Sequence, residues 1–273
     1  MAKKIFQNKT AFISLCIILI IALMAVFAPF LSGYEADRQD LLSRLMPPGP
    51  QHILGTDELG RDLFTRLLYG TRVSLLIAII PTALAVLFGT LLGVAGAYYG
   101  RYVDVLITWL VDVTLAFPGM LLAMVIMYTF GGSLSSVILS IIIMECGSIA
   151  RVVRSATLSI LENEYILAAK TMGVKNLTII TTHVLPHLVP TLIVLFTLNI
   201  PGSILSESAL SFLGIGIQPP DVSLGLLVSQ SKAFLFKMPW LSLVPSGMIM
   251  ILVLAFNFLG DALRDILDPK TRY

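Results

Sequence analysis

Charge is scarce in this 273-residue sequence: Asp, Glu, Lys and Arg make up 12% of it, about half of the roughly 25% carried by soluble domains. Apolar residues make up 57%, so water is excluded as the main solvent. At 29.7 kDa the chain has room for several bilayer crossings of ~20 residues and none for a large soluble domain besides. Cysteine is nearly absent. Cys16 and Cys146 stand alone in apolar runs, form no CxxC pair, and read as small core hydrophobes that say nothing of a redox compartment. A G-x-x-x-x-G-K-[ST] phosphate loop is missing, so the chain does not cradle ATP in the usual way and no cofactor is expected. G-x-S-x-G and H-E-x-x-H are missing too; no catalytic residue is expected and the chain is not read as an enzyme. The net charge of +2 is too small to point to nucleic acid.

What is present is greasy and periodic. Apolar runs at about 11–31, 74–100, 103–130, 135–153, 188–215 and 240–262 are each near the length of a bilayer crossing, which predicts an all-α polytopic protein with six transmembrane helices. Lys3, Lys4 and Lys9 precede the first run. That run exceeds a signal core and no A-x-A site follows it, so it reads as a retained anchor. With residues 1–10 and 266–273 inside, the inner segments carry eleven Lys and Arg against seven outside, the orientation that the positive-inside rule favours. A loop at 32–73 then lies outside the membrane and the segment 154–187 inside it.

That inner segment, EYILAAKTMGVKNLTIITTHVLPH at 164–187, is too polar to span and too apolar to float free. Ala168, Ala169, Lys170 and Met172 form helix readily, Gly173 suits a helix stop at positive φ, and Leu177 to Val184 resume an apolar-rich helix up to Pro186. A helix, turn, helix hairpin of this kind needs a protein surface to cover it.

The order Ala168-Ala169, three residues, Gly173, nine residues, then His183, Val184, Leu185, Pro186 resembles the EAA loop of ATP-binding-cassette importer permeases. In that pattern Glu-Ala-Ala is followed after three residues by Gly and after nine more by Ile-x-Leu-Pro. Leu167 stands where the pattern has Glu, and His183 where it has Ile. HILGTDELGRDLFTRLLYGTRVSL at 52–75, ESALSFLGIGIQPP at 207–220 and LAFNFLGDALRDILDP at 254–269 resemble the C-type permease of the peptide and nickel importers. The resemblance implies a type I ABC importer permease fold over 74–265 and a bacterial or archaeal cytoplasmic membrane. It also implies a homologous B-type permease as heterodimer partner, two cytoplasmic ABC ATPases, an extracytoplasmic solute-binding protein, and short peptides or nickel and its chelates as cargo. Leu167, Ala168, Ala169, Met172, Gly173, Val174 and Lys175 would then form the contact with the ATPases. For Lys175 a solvated turn charge is the other reading.

Ionisable side chains at membrane depth are costly and usually face a partner or a cavity. Asp112, Glu145 and Glu207 are the candidates for lining a translocation path. Asp112 also reads as a buried helix–helix hydrogen-bond partner. These acids keep an ion-coupled carrier or channel open as the alternative to an importer subunit. Pro118 should kink the third span, and Gly89, Gly93, Gly96 and Gly100 recur at a spacing that lets helices approach closely. His183 and His187 share a helix face, but no Cys or carboxylate joins them at metal-ligand spacing, and no metal is expected. In the outer loop, Asp57, Glu58, Arg61 and Asp62 suit either an Asp/Arg-stapled turn or a docking surface for the binding protein.

Overall fold

The computed structural model describes residues 8–267; Lys3, Lys4, Lys270, Arg272 and most of the two end segments lie outside the described residues. The long helices are α1 Lys9–Val26, α2 Leu63–Tyr99, α3 Arg101–Ala116, α4 Gly119–Phe130, α5 Leu134–Leu161, α6 Glu164–Thr171, α7 Asn176–Phe212, α8 Leu224–Ser231 and α9 Trp240–Leu267. Five of these, α1, α2, α5, α7 and α9, are long and apolar enough to cross a membrane by themselves.

The expected sixth span departs from a simple kink. Helices α3 and α4 meet at 88°, so the run at 103–130 is two helices in either a broken span or a re-entrant loop, and not one bent rod. Pro118 has no N–H to give, and its ring drives Phe117 out of the helical region to φ −83°, ψ 136°, as the residue before a proline prefers. Neither piece alone reaches across ~30 Å of hydrocarbon at 1.5 Å per residue.

Helix α2 has 37 residues, which at 1.5 Å each is roughly 55 Å. Its first turns therefore stand beyond the bilayer, where Asp62 caps them by accepting from the Thr65 N–H at 2.8 Å. Farther along, α2 lies directly on α5. At Gly93 a Cβ would come within 2.6 Å of the Ala150 carbonyl oxygen, so only a residue without one permits this approach. Ile149 and Val153 of α5 fill the flanks, with Ala85, Val94, Val184 and Leu188 beside them. A second core joins α1, α2, α7, α8 and α9 around Ile21, Leu75, Ile200, Leu224, Leu252 and Phe256. Small residues take the place of a hydrophobic driving force here, because lipid tails are as apolar as Leu.

The second arm of the 164–187 segment also differs from the expected one. It does not stop at Pro186; α7 continues without a break from Asn176 to Phe212. Residues Ile180–Val184 widen into a π turn, with the Leu185 N–H donating to the Ile180 carbonyl five residues back. The extra residue in that turn makes room for the Pro186 ring, which would otherwise strike a carbonyl one turn earlier. The first arm is separate: α5 ends at Leu161, and Glu162 and Asn163 turn the chain before α6 starts at Glu164.

Replacing Gly93 by Leu should therefore push α2 from α5, at a cost of about 1–3 kcal/mol or more. Gly202 of α7 has open space around it. The thermal midpoint of the purified protein should fall for Gly93→Leu and stay near the parent for Gly202→Leu.

Candidate functional site

Between α5 and α7 the chain makes a short hairpin whose turn is a Schellman motif. The Gly173 N–H donates to the Lys170 carbonyl and the Val174 N–H to the Ala169 carbonyl, both at 3.1 Å. Gly173 itself sits at φ +75° with nothing near its absent side chain. The three-residue gap between Ala169 and Gly173 thus has a physical origin: it is the distance from the third-last helical residue to the left-handed stop. Asn163 turns the chain out of α5, its Nδ2 donating to the Ile160 carbonyl at 2.8 Å.

Ile166 is the buried foot of α6. The rest of the hairpin looks outward: Leu167 is 50% exposed, Leu177 70% and Met172 81%. Ala168 and Lys175 are exposed, while Ala169 and Val174 are half-buried. An apolar tip presented at an aqueous end is a surface awaiting a protein.

Tyr98, at the end of α2, grips both arms of the hairpin. Its hydroxyl donates to Asn176 Oδ1 at 3.0 Å, and the Lys170 ammonium lies 5.3 Å from its ring centroid, a cation–π distance. On the other side Tyr165 stacks on His187 at 5.9 Å and leans on His183 at 6.0 Å. The two histidines are engaged in hairpin packing. Nothing local in the sequence marks Tyr98, because its partners lie more than seventy residues away.

The three membrane-depth acids occupy three different settings. Glu145 of α5 accepts from Ser203 Oγ of α7 at 2.6 Å, and Thr82 Oγ1 of α2 is 2.7 Å from the same hydroxyl, so one carboxylate joins three helices. Glu207 is 1% exposed and accepts from Ser211 and Ser223 at 2.7 and 2.6 Å. Ser223 in turn caps α8. Asp112 of α3 pairs with Arg151 of α5 at 2.6 Å. It meets another helix, but through an exposed ion pair and not the buried hydrogen bond that one reading expected.

Comparison with known proteins accounts for this arrangement. Residues 85–273 match a family described as the binding-protein-dependent transport system inner membrane component, and residues 1–48 match the N-terminal TM domain of oligopeptide transport permease C. The dipeptide transport system permease protein DppC of Alkalihalophilus pseudofirmus is 42% identical over 99% of this chain and 89% of its own. The oligopeptide transport system permease protein OppC of Bacillus subtilis is 36% identical over 97% and 87%. The chain belongs to this permease family. The fold agrees: a chain of the MetNI methionine ABC transporter, in inward-facing conformations, superposes with a TM-score of 0.63 over 76% of this chain and 98% of that one, at 18% identity. The permease therefore has the type I ABC importer fold in a multi-span inner-membrane protein.

At the far end from the hairpin, the permease carries a turn built around Asp57. Its Oδ1 accepts from the Leu59 and Arg61 N–H groups at 2.9 and 3.0 Å, and its Oδ2 pairs with Arg61 at 2.7 Å and with Arg66 at 2.5 Å. The Gly60 position, at φ +72°, has no room for a Cβ against the Asp40 carbonyl. Asp40 accepts from Ser43 Oγ at 2.8 Å and from the Leu42 N–H, which holds its carboxyl below the ordinary value. His52 Nδ1 lies 2.9 Å from Asp62. Arg66 also donates to Gln230 of α8 at 3.1 Å, and Ser74 accepts from the Leu224 N–H at 3.0 Å. Asp57, Arg61 and Asp62 are thus occupied with one another and with the first turns of α2, while Glu58 is half-exposed beside them.

Arg66 is 2% exposed, so losing its carboxylate would strand a buried charge at a cost of about 3–5 kcal/mol. Asp57→Ala should unfold the loop and lower the melting temperature sharply, and Glu58→Ala should melt like the parent. Equal melting of the two variants would mean that Asp57 is not the staple of this turn.

Proposed function

We propose that this chain is the C-type permease subunit of an ATP-driven importer that passes short peptides inward by alternating access. It would pair with a homologous B-type permease, receive cargo from an extracytoplasmic binding protein, and take its work from two cytoplasmic ATPases. The observation that carries this reading is the hairpin. Its turn is closed by two backbone hydrogen bonds, its apolar tip is uncovered, its second arm continues without a break into spanning helix α7, and its first arm joins spanning helix α5 across the short turn at Glu162 and Asn163. A push on such a tip moves α7 directly and reaches α5 through a short turn that the Asn163 side chain ties to the Ile160 carbonyl. The orientation follows from the same assignment: the hairpin end lies in the cytoplasm, with the N-terminus, and the Asp57 turn lies outside.

Peptide cargo is supported by the relatives, dipeptide, oligopeptide and glutathione transport permeases among them. Nickel or a nickel chelate, the other cargo implied by the resemblance, is what the assay below must separate from peptide.

Gly173→Val places a β-branched side chain at a positive φ, which costs about 1–3 kcal/mol and should reshape the tip without touching the spans. In proteoliposomes holding the assembled importer, uptake of labelled dipeptide should fall by about tenfold, the scale of a typical coupling between sites, while ATP hydrolysis continues. Full uptake by Gly173→Val would refute the coupling role. Uptake of nickel with none of dipeptide would refute the cargo.

A further inference from the structure

One face of α5 has no place in lipid. Ser148, Arg151, Ser155 and Ser159 follow one another at helical spacing, Glu162 continues the line just past the helix end, and all five are exposed. From Ser148 to Ser159 the stripe runs roughly 17 Å at 1.5 Å per residue. The opposite face of the same stretch, Ile149 and Val153, is packed on α2. Toward the other end of the helix the stripe turns apolar and buried, through Ile141 and Val137. A spanning helix that is polar along one exposed face for half its length looks onto water or onto a polar partner.

Two ion pairs cross from α3 to this helix. Arg154 forks onto Asp104 at 2.5 and 2.6 Å, close to the hairpin end. Farther in, Arg151 meets Asp112 at 2.6 Å, and their side chains are 60% and 57% exposed. Ions so open cannot face hydrocarbon cheaply. Between the pairs lies a cavity of about 200 Å³, far more than one water needs. Arg151, Arg154 and Thr108 border it, and Ile107, Val111 and Ala150 form its apolar floor.

We propose that this α3–α5 seam is a binding station for the peptide inside the passage, resting on the importer reading for the class of cargo. A peptide carries one ammonium and one carboxylate. Its carboxylate replaces Asp112 on Arg151, and its ammonium replaces Arg151 on Asp112. One internal pair is exchanged for two external ones, so no charge is left bare at any point. The apolar floor accepts a side chain without selecting it, which suits a passage that must let its cargo go. Neither Asp nor Arg needs to move between helices for the exchange.

The test uses the assembled complex in which Cys16 and Cys146 are replaced by Ser and either Ser148→Cys or Ser155→Cys is introduced. A charged, water-soluble maleimide should label both positions. A dipeptide with free termini should slow that labelling, and the same dipeptide acetylated at its N-terminus and amidated at its C-terminus should not. In Asp112→Asn or Arg151→Gln, loss of a charge-assisted partner should raise the half-protecting dipeptide concentration by about tenfold, and Asp112→Glu should restore it. Unreactive cysteines would overturn the proposal, because the stripe would then be packed against another subunit. Equal protection by free and capped dipeptide would overturn it as well, as would protection unchanged in both charge variants. Protection as expected in a complex that takes up no peptide would leave the seam standing and count against the importer reading.

Discussion

The contact between α2 and α5, made possible by the missing side chain of Gly93, is what the rest of the structure hangs on. Backbone lies on backbone there, and the approach sets the rotation of α5 about its own axis. With Ile149 and Val153 turned toward α2, Glu145 reaches Ser203, Arg151 and Arg154 point to α3, and the hairpin leaves the end of the helix in a fixed direction. In lipid such a contact has no hydrophobic collapse behind it and depends on close packing.

From that contact the two ends of the molecule diverge in character. At the hairpin end the polar groups serve display: Tyr98, Lys170 and Asn176 brace a tip whose Leu167, Met172 and Leu177 are left uncovered. At the opposite end they serve closure. Glu207 holds Ser223, Ser223 caps α8, Gln230 of α8 meets Arg66, and Arg66 meets Asp57. Linked buried polar groups of this kind stiffen what they join, since breaking one member exposes the rest. Our reading of the permease as a lever places its moving input at the first end and its rigid frame at the second.

Features with local causes were legible in the sequence. Five of the six expected spanning helices follow from runs of apolar residues, and the Ala169 to Gly173 spacing follows from the geometry of a helix stop. Proline proved the poorer guide. Pro118 announced a bend without its 88° size, because the angle depends on what α3 and α4 pack against. Pro186 looked like an end and is not one, because a single π turn absorbs its ring. The ion pairs were hidden for a different reason. Asp112 and Arg151 are 39 residues apart, and only the tertiary packing of α3 on α5 decides which acid meets which base. Tyr98 was missed on the same ground, and the engagement of His183 and His187 with Tyr165 depends on how the hairpin closes.

The central claim is that the hairpin tip is where work enters. Met172, 81% exposed at that tip, allows the most direct test. In the assembled importer, with Cys16 and Cys146 replaced by Ser, Met172→Cys carrying a short photo-crosslinker should become covalently joined to an ATPase subunit, and the yield should change when ATP is bound. A crosslink to the extracytoplasmic binding protein, or none to an ATPase in any nucleotide state, would contradict the account.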